Sequence, residues 1–180
     1  MFASLKLLFS RKKSLVAPII AVTVKLDDRC GEEIATDLEK NTCLVTKDAK
    51  KIILGIFSKP GTYRVGLIRG EDIPYKKLTH SRVRRFGKRH GYKLLPLEVG
   101  PFLRKKISDE DLMTAEIWWV GCMSETVEGR FSYHKLILGF GRNSVNGSWF
   151  GTVETHFLSD MGALPIDFSK GGAYAFLLPE

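Results

Sequence analysis

A long hairpin predicted in the last third of the chain constrains the fold more than any other feature. Two apolar segments, 131–140 and 148–158, flank the turn-forming residues 143–147. Within that turn, Asn146-Gly147 supplies the positive φ angles that a tight connection between antiparallel strands requires. The sequence therefore predicts two long antiparallel strands in a sheet.

The first part of the chain adds further strands and one helix. Apolar residues alternate with others over 19–26, which predicts a half-buried strand. Over 32–40, Ile34, Ala35 and Leu38 share one helical face, and the acids lie early, where the helix dipole favours them. Residues 32–40 are therefore predicted to form a short amphipathic helix. Three further strands are predicted at 42–46, 51–57 and 62–68, with turns at 47–50 and 59–61.

The region before the hairpin contains a second helix signal and a pair of tryptophans. Ser108 and the acids after it offer a capping residue and a favourable first turn to a very short helix. Residues 115–122 form a predicted strand in which Trp118 and Trp119 must point to opposite faces. We expect one indole to be buried and the other exposed, and a one-residue change of register would exchange them. After the hairpin, the apolar run 173–178 either adds an edge strand or plugs a cleft.

Length and composition favour a single folded domain. The chain has 180 residues, 44% of them hydrophobic, which is enough to build a core. With the predicted elements, this indicates an α+β fold in which a mainly antiparallel β-sheet packs with short helices. We expect a flexible, basic and amphipathic N-terminal arm over 1–17, one domain over 18–180 and, within that domain, a long basic loop or arm over 74–106. A helical turn is predicted within this loop or arm, near 78–86.

Two kinds of architecture are not indicated. The three cysteines, Cys30, Cys43 and Cys122, are widely spaced and form no C-x-x-C pair, so neither a disulfide framework nor a zinc site is predicted. The uncharged stretch 14–24 has eleven residues and includes a proline, which makes it too short to cross a bilayer as a helix. We therefore expect no transmembrane segment.

Positive charge is sorted into two blocks. Residues 1–26 hold five bases and no acid, and residues 76–106 hold eleven bases and one acid. The rest of the chain holds twelve bases and nineteen acids. Such segregation is typical of a protein that docks on phosphate-rich partners, which can be lipid headgroups, nucleic acid or both.

The segment 76–93 is the most specific part of this signal. Its eight bases are interleaved with Tyr75, Phe86 and Tyr92, so that phosphate contacts and base stacking are both chemically available. The same bases could contact anionic lipid, where each contributes about 1 kcal/mol, and a solvated charge run is the remaining alternative. The candidate residues for binding nucleic acid, nucleocapsid or anionic lipid are Lys76, Lys77, Arg82, Arg84, Arg85, Lys88, Arg89, Lys93, Arg104, Lys105 and Lys106.

Residues 1–13 offer a second signal, suited to a membrane surface. Apolar side chains at spacings of three and four gather on one side if this segment is helical, beside a cluster of bases. A frayed terminus is the alternative reading. The candidate membrane-binding residues are Phe2, Leu5, Lys6, Phe9, Arg11, Lys12 and Lys13.

Signals for catalysis and for metal or cofactor binding are missing from the sequence. No G-x-S-x-G turn marks a nucleophile, and the four histidines include no pair four residues apart. We interpret His80 and His90 as solvated members of the basic segment, and His134 and His156 as surface or structural residues. We therefore expect no enzyme activity, no metal, no cofactor and no small-molecule substrate.

Taken in order, these elements resemble a rhabdovirus matrix protein, and the length is similar to that of the smaller members, such as those infecting plants. The amino-terminal letters that carry the resemblance are Ser4-Leu5-Lys6-Leu7-Leu8, Arg11-Lys12-Lys13 and the strand Val22-Thr23-Val24-Lys25. Near the carboxyl terminus they are Asn146-Gly147-Ser148-Trp149 and Thr155-His156-Phe157.

The resemblance implies a single α+β domain with a mobile basic amino terminus and a structural role. Such proteins link the helical nucleocapsid to the inner leaflet of the envelope, self-associate, and drive condensation and budding. Members infecting animals often carry a Pro-Pro-x-Tyr budding motif near the amino terminus, whereas here only Ile73-Pro74-Tyr75 is vaguely similar and lies elsewhere. Recruitment of host budding machinery by that route is therefore not expected.

Three function classes follow. The leading hypothesis is a viral structural, matrix-like protein that bridges the ribonucleoprotein and the anionic membrane and self-associates. It would be found in the virion, in the host cytoplasm and, peripherally, at the inner membrane surface. The runner-up is a cytosolic or phage-encoded RNA- or DNA-binding module that uses only 76–106 and tolerates loss of 1–13. The third is an enzyme with a phosphorylated substrate, because a site assembled by the fold can leave no linear motif.

Overall fold

A computed structural model describes residues 16–41, 43–76, 78–128, 135–143, 147–154 and 171–179. The strands in these ranges are β1 (Ile20–Leu26), β2 (Arg29–Cys30), β3 (Leu44–Val45), β4 (Phe57–Ser58), β5 (Gly61–Arg69), β6 (Trp119–Cys122), β7 (Val127–Glu128), β8 (Lys135–Asn143), β9 (Gly147–Glu154) and β10 (Gly172–Leu177). The helices are α1 (Gly31–Lys40), α2 (Lys47–Leu54), α3 (His80–Arg89), α4 (Val99–Lys106) and α5 (Asp109–Thr114), and a 3-10 turn, Gly70–Asp72, follows β5.

One large sheet joins most of the described strands in the order β1-β5-β10-β6-β8-β9-β3, with β7 paired to β8. Its pairs are antiparallel except for β10 with β6 and β3 with β9. A separate small sheet pairs β2 with β4. Short helices pack against the large sheet, so the predicted α+β fold with a mainly antiparallel sheet is confirmed.

The large sheet has a hydrophobic core on each face. Along β10, Ala173 and Ala175 belong to one core, whereas Tyr174 and Phe176 belong to the other. The first core is completed by α1, α2, α4 and α5, and the second by α3 and by residues on both sides of that helix. Because successive side chains of a strand point to opposite faces, β10 separates α3 from the other four helices.

Several predicted elements lie where the sequence placed them. β1, β5 and α1 match the predicted strands and helix within two residues. The short helix α5 begins with a capping box, in which Ser108 Oγ accepts a hydrogen bond from the Asp111 N–H at 3.0 Å. The hairpin of β8 and β9 pairs Asn143 with Gly147, whose φ of 71° is the positive value that the turn requires.

The strand predicted over 51–57 is wrong, since most of it is the second half of α2. The predicted turn at 47–50 is the first turn of that helix, capped by Thr46, whose Oγ1 accepts from the Ala49 N–H at 3.4 Å. Ala49 and Ile53, four residues apart, are fully buried on the inner face. The strand predicted over 42–46 shrinks to the two residues of β3.

Two predictions for the rest of the chain also need correction. Residues 74–106, predicted as a long basic loop or arm with a helical turn near 78–86, contain two full helices, α3 and α4. In α3, Val83 and Phe86 recur at helical spacing among the bases. β10 is neither an edge strand nor a plug but a central strand. It is apolar without alternation because helices cover both of its faces.

The expectation for the tryptophan pair is confirmed. Trp118 is 51% exposed, whereas Trp119 is 7% exposed and packs edge-to-face on Tyr174. The guanidinium of Arg142 lies 4.3 Å from the centre of the Trp118 ring. None of the described helices is both long enough and apolar enough to span a membrane.

Close packing of α3 on β10 depends on Gly87. A Cβ atom at this position would lie 2.4 Å from Cε1 of Phe176, a ring that is itself 1% exposed. That distance is far below van der Waals contact, and the buried ring has little room to move. Glycine at 87 therefore fixes how closely the helix approaches the sheet.

We expect Gly87→Ala to lower the free energy of unfolding by about 1–2 kcal/mol through overpacking, although alanine is the better helix former by about 1 kcal/mol. The matched control is Gly55→Ala at the end of α2, where the added Cβ meets only Ile52 O, at 3.5 Å. Chemical denaturation of both variants checks the sign. A stabilised Gly87→Ala protein would show that α3 does not pack on Phe176 as described.

Candidate anion-binding surface

The helix α3 carries most of the bases that the sequence singled out. Thr79 caps its amino terminus, where Oγ1 accepts from the Arg82 N–H at 3.3 Å. Lys88 and Arg89 lie in the last turn, where the helix dipole favours positive charge. Its ten residues include five bases and no acid.

The two sides of α3 differ sharply. His80, Val83, Phe86 and Gly87 are buried against the sheet. The opposite side is fully polar, and its exposed residues are Ser81, Arg82, Arg85, Lys88 and Arg89. We call Arg82, Arg85, Lys88 and Arg89 the α3 basic face. Lys76 and Lys93, on the segments before and after the helix, are also exposed.

Arg84 lies between the two sides and is engaged by a carboxylate. Its guanidinium donates two hydrogen bonds to Glu125, at 3.0 and 2.6 Å, and the two side chains are 42% and 74% exposed. Arg89 Nη1 donates to the Tyr75 hydroxyl at 3.4 Å. Exposed contacts of this kind add little stability, but the two-point contact to Glu125 restricts the direction of Arg84.

The bases of α4 have a different setting. Arg104 is only 7% exposed, donates to Ile107 O at 2.8 Å and forms an ion pair with Asp109. Its guanidinium also lies 5.6 Å from the centre of the Phe140 ring. Arg104 therefore joins α4 to α5 inside the protein and does not belong to an exposed binding surface.

The eleven predicted bases do not form one surface. Lys105 and Lys106 are exposed on α4, where Lys105 forms an ion pair with Asp37 of α1. Since α4 packs in the core on the sheet face opposite α3, these two lysines are separated from the α3 basic face. Lys77 lies outside the described residues, as do all the candidate membrane-binding residues, Phe2, Leu5, Lys6, Phe9, Arg11, Lys12 and Lys13.

Base stacking by the interleaved aromatics is not supported. Phe86 is 1% exposed and Tyr92 is 5% exposed, and both belong to the core beneath α3. The Tyr92 hydroxyl donates to Val16 O. Tyr75 is half-buried and its hydroxyl accepts from Arg89. The surface around α3 is therefore suited to phosphates rather than to base faces.

The histidine interpretation needs one correction. His80 is not solvated, since it is 9% exposed at the start of α3, whereas His90 at the end of the helix is half-buried. His134 and His156 lie outside the described residues. The sequence could not separate His80 from His90, because both stand near bases at the ends of the same segment.

The described residues offer little reactive chemistry. They contain no group of three or more His, Cys, Asp or Glu side chains placed to hold a metal ion. Burial raises the pKa of the Cys122 thiol to about 12, and it also raises the pKa of Cys43 despite the opposing hydrogen bond from Arg104. A thiol in such a setting is a poor nucleophile at neutral pH.

Comparisons with known proteins found no matching family model, no matching curated protein and no matching solved structure.

Two contacts were not anticipated from the sequence. Glu125 is 41 residues from Arg84 along the chain, and Arg142 is 24 residues from Trp118, so neither pair leaves a local pattern. Arg84 meets Glu125 because α3 packs on β10, which pairs in parallel with β6, the strand that precedes Glu125. Arg142 meets Trp118 because β6 and β8 pair antiparallel.

The carboxylate of Asp109 is held in its charged form. Burial alone would raise its pKa, but hydrogen bonds from Ser148 and Arg104 outweigh that effect and bring the pKa below the ordinary 3.8. A carboxylate whose pKa is lowered by folding stabilises the folded protein at pH values above its ordinary pKa of 3.8. That contribution is lost as the pH falls below 3.8.

We expect Asp109→Asn to lower the free energy of unfolding at pH 7 by about 1–2 kcal/mol, because buried Arg104 loses its ionic partner while Asp109 itself is half exposed. The variant should also lose less stability than the native protein when the pH falls below 3.8. Denaturant titrations at pH 7 and pH 3 measure both effects. Asp28→Asn, at an exposed position outside this network, is the control, and an equal response of the two variants would contradict the assignment.

Proposed function

We propose that the protein is a structural, matrix-like protein that binds the phosphates of a ribonucleoprotein through the α3 basic face. Residues 1–13 would attach it to an anionic membrane surface, and copies would self-associate during assembly. The observation that supports this proposal is the α3 basic face itself: four exposed bases on a helix that carries no acid. A helix held against the sheet by Val83 and Phe86 presents these charges in a fixed array.

The length of the array suits a nucleic-acid backbone. Arg82 and Arg89 are seven residues apart, which is about 10 Å along a helix axis at 1.5 Å per residue. A duplex carries one phosphate per about 3.4 Å of axis on each strand, so the array spans about three phosphates of one strand. With the aromatics buried, contacts limited to phosphates would be independent of sequence and strongly dependent on salt.

Lipid binding by α3 alone is less favoured. Stable attachment to a membrane needs an apolar contribution in addition to charge. The apolar residues of α3 that could insert, Val83 and Phe86, are 0% and 1% exposed. In the proposal, the apolar contribution therefore comes from Phe2, Leu5 and Phe9.

The second candidate is a nucleic-acid-binding module with no membrane role. It is favoured by the same polar surface of α3, which needs no help from residues 1–13 to contact phosphates. In their binding to phosphates and membranes, the two candidates differ in what the amino-terminal segment does. Deleting that segment therefore distinguishes them.

For the nucleic-acid half of the proposal, we expect Arg85→Gln combined with Lys88→Gln to weaken binding to an RNA duplex. The slope of log affinity against log salt should become shallower by about 1.4–1.8, because each lost phosphate contact removes about 0.9 for a B-form DNA duplex and about 0.7 for a single strand. Fluorescence anisotropy over a salt series measures this slope. Both residues are exposed, so the fold should be retained.

The matched control removes two bases from the other face of the sheet. Lys47→Gln combined with Lys106→Gln gives the same change in net charge, at exposed positions on α2 and α4. This variant should keep the native salt slope. Equal losses in the two double variants would mean that binding follows total charge, which would contradict a defined α3 surface.

For the membrane half, we expect the full chain to float with phosphatidylserine vesicles and to resist moderate salt. Deletion of residues 1–13 should abolish this flotation because it removes the apolar contribution, and it should leave RNA binding unchanged. The Arg85→Gln, Lys88→Gln variant should still float with the vesicles but should bind RNA more weakly. Flotation that is weak, sensitive to salt and unaffected by the deletion would reject the membrane role and favour the nucleic-acid module.

A further inference from the structure

We propose that protonation of His80 loosens α3 from the sheet, so that the α3 basic face is firmly held at neutral pH and less firmly held in mild acid. The device would consist of one imidazole, the helix that begins at it and the segment after β6 that packs beside it. It requires no ligand and no partner.

The placement of His80 is the first observation. It is the first residue of α3 and is 9% exposed. One ring nitrogen hydrogen-bonds with the backbone of Ser124, whereas Nε2 has no hydrogen-bond partner among the described residues. The neutral ring tolerates this site, because an unprotonated nitrogen carries no N–H to satisfy. Protonation would place an N–H and a positive charge on Nε2, where none of the residues that the structure describes offers an acceptor.

The charges around His80 also oppose protonation. Arg84 is one helical turn further along α3 and therefore faces the same side. Glu125, from the segment after β6, attracts a positive ring, but its carboxylate is already bound at two points by Arg84 and is 74% exposed. The amino-terminal end of the helix dipole adds further positive potential.

The direction of the effect follows from these contacts. Burial, followed by Arg84, lowers the pKa of His80 below the ordinary 6.5, and the contacts with Ser124 and Glu125 only partly offset this. A histidine whose pKa is lowered by docking of the helix favours the docked state through its neutral ring. This contribution is fully present at pH values above 6.5 and is lost progressively as the pH falls below 6.5. The loss due to His80 begins below pH 6.5 and that due to Asp109 only below pH 3.8, so measurements between these two pH values report on His80.

The docked state that would weaken is that of α3 as a whole. Val83 and Phe86 share the buried side of the helix with His80, and Gly87 rests on Phe176. Loosening would therefore expose the apolar side of α3 and leave its bases without a fixed arrangement. Only the resulting loss of phosphate affinity rests on the proposed function, whereas the loosening itself is a property of the protein alone.

The same helix provides a control residue. His90 follows the last residue of α3, is half-buried, and its Nδ1 lies 2.9 Å from Phe86 O. Its ring therefore has a backbone partner, in contrast to Nε2 of His80, and replacing it is the matched control for a change at the other end of α3.

Hydrogen exchange of the full chain, without nucleic acid, at pH 7, 6 and 5 tests the inference after correction for intrinsic exchange rates. We expect amides of α3 to lose protection severalfold between pH 7 and pH 5, while those of α4, which contains no histidine, do not. His80→Asn, which keeps a donor near the position of Nδ1 but does not titrate, should remove the difference. His90→Asn should keep it. Unchanged protection of α3, or an equal loss in His80→Asn, would overturn the inference.

A second measurement covers the case in which His80→Asn does not fold. The His80 ring resonance, assigned in the unmodified protein, should titrate with a midpoint below 6.5. A midpoint at or above 6.5 would overturn the inference whatever the variant does. Because neither test uses RNA, a failure here leaves the proposed function to its own experiments.

Discussion

The arrangement of the fold depends on β10, a central strand that is buried on both faces. It pairs with β5 on one side and with β6 on the other, and its side chains alternate between two separate cores. Ala173 and Ala175 leave room for the helices on one face, whereas Tyr174 and Phe176 fill the core beneath α3. The position of every helix relative to the bases of α3 follows from this one strand.

Because the sheet has two faces, bases that look equivalent in the sequence lie in different surroundings and make different contacts. Arg104 is buried and donates to Ile107 O, and Lys105 joins α4 to α1 by an ion pair. The α3 basic face is exposed on the other side of the sheet. A positively charged block in the chain is therefore not one positively charged surface. The number of bases available to a phosphate-rich partner is smaller than the composition indicates.

Local patterns predicted much of the fold, and long-range contacts explain what they missed. The alternation in β1, the capping residue Ser108 and the turn glycine Gly147 act over a few residues, so they can be read directly. The burial of Ile53 in a helix and of β10 in the sheet centre depends on distant segments, and both were assigned incorrectly. For the candidate surface, the sequence identified the bases of α3 and a helical turn near 78–86, but not the full helix. Phe86 and Tyr92 were assigned to base stacking because bases surround them, whereas both are buried in the core beneath α3.

The position of β10 also bears on how the chain can reach its native state. β5 ends at Arg69, more than one hundred residues before β10, which pairs with its second edge. During synthesis, β5 and β6 must therefore wait for residues 172–177 to leave the ribosome before the sheet can close. Until then, β5 and β6 lack β10, which lies between them in the finished sheet. Pairings between segments so far apart in the chain form slowly. The nascent chain thus passes through a long interval in which unpaired strand edges favour association with other chains or with chaperones.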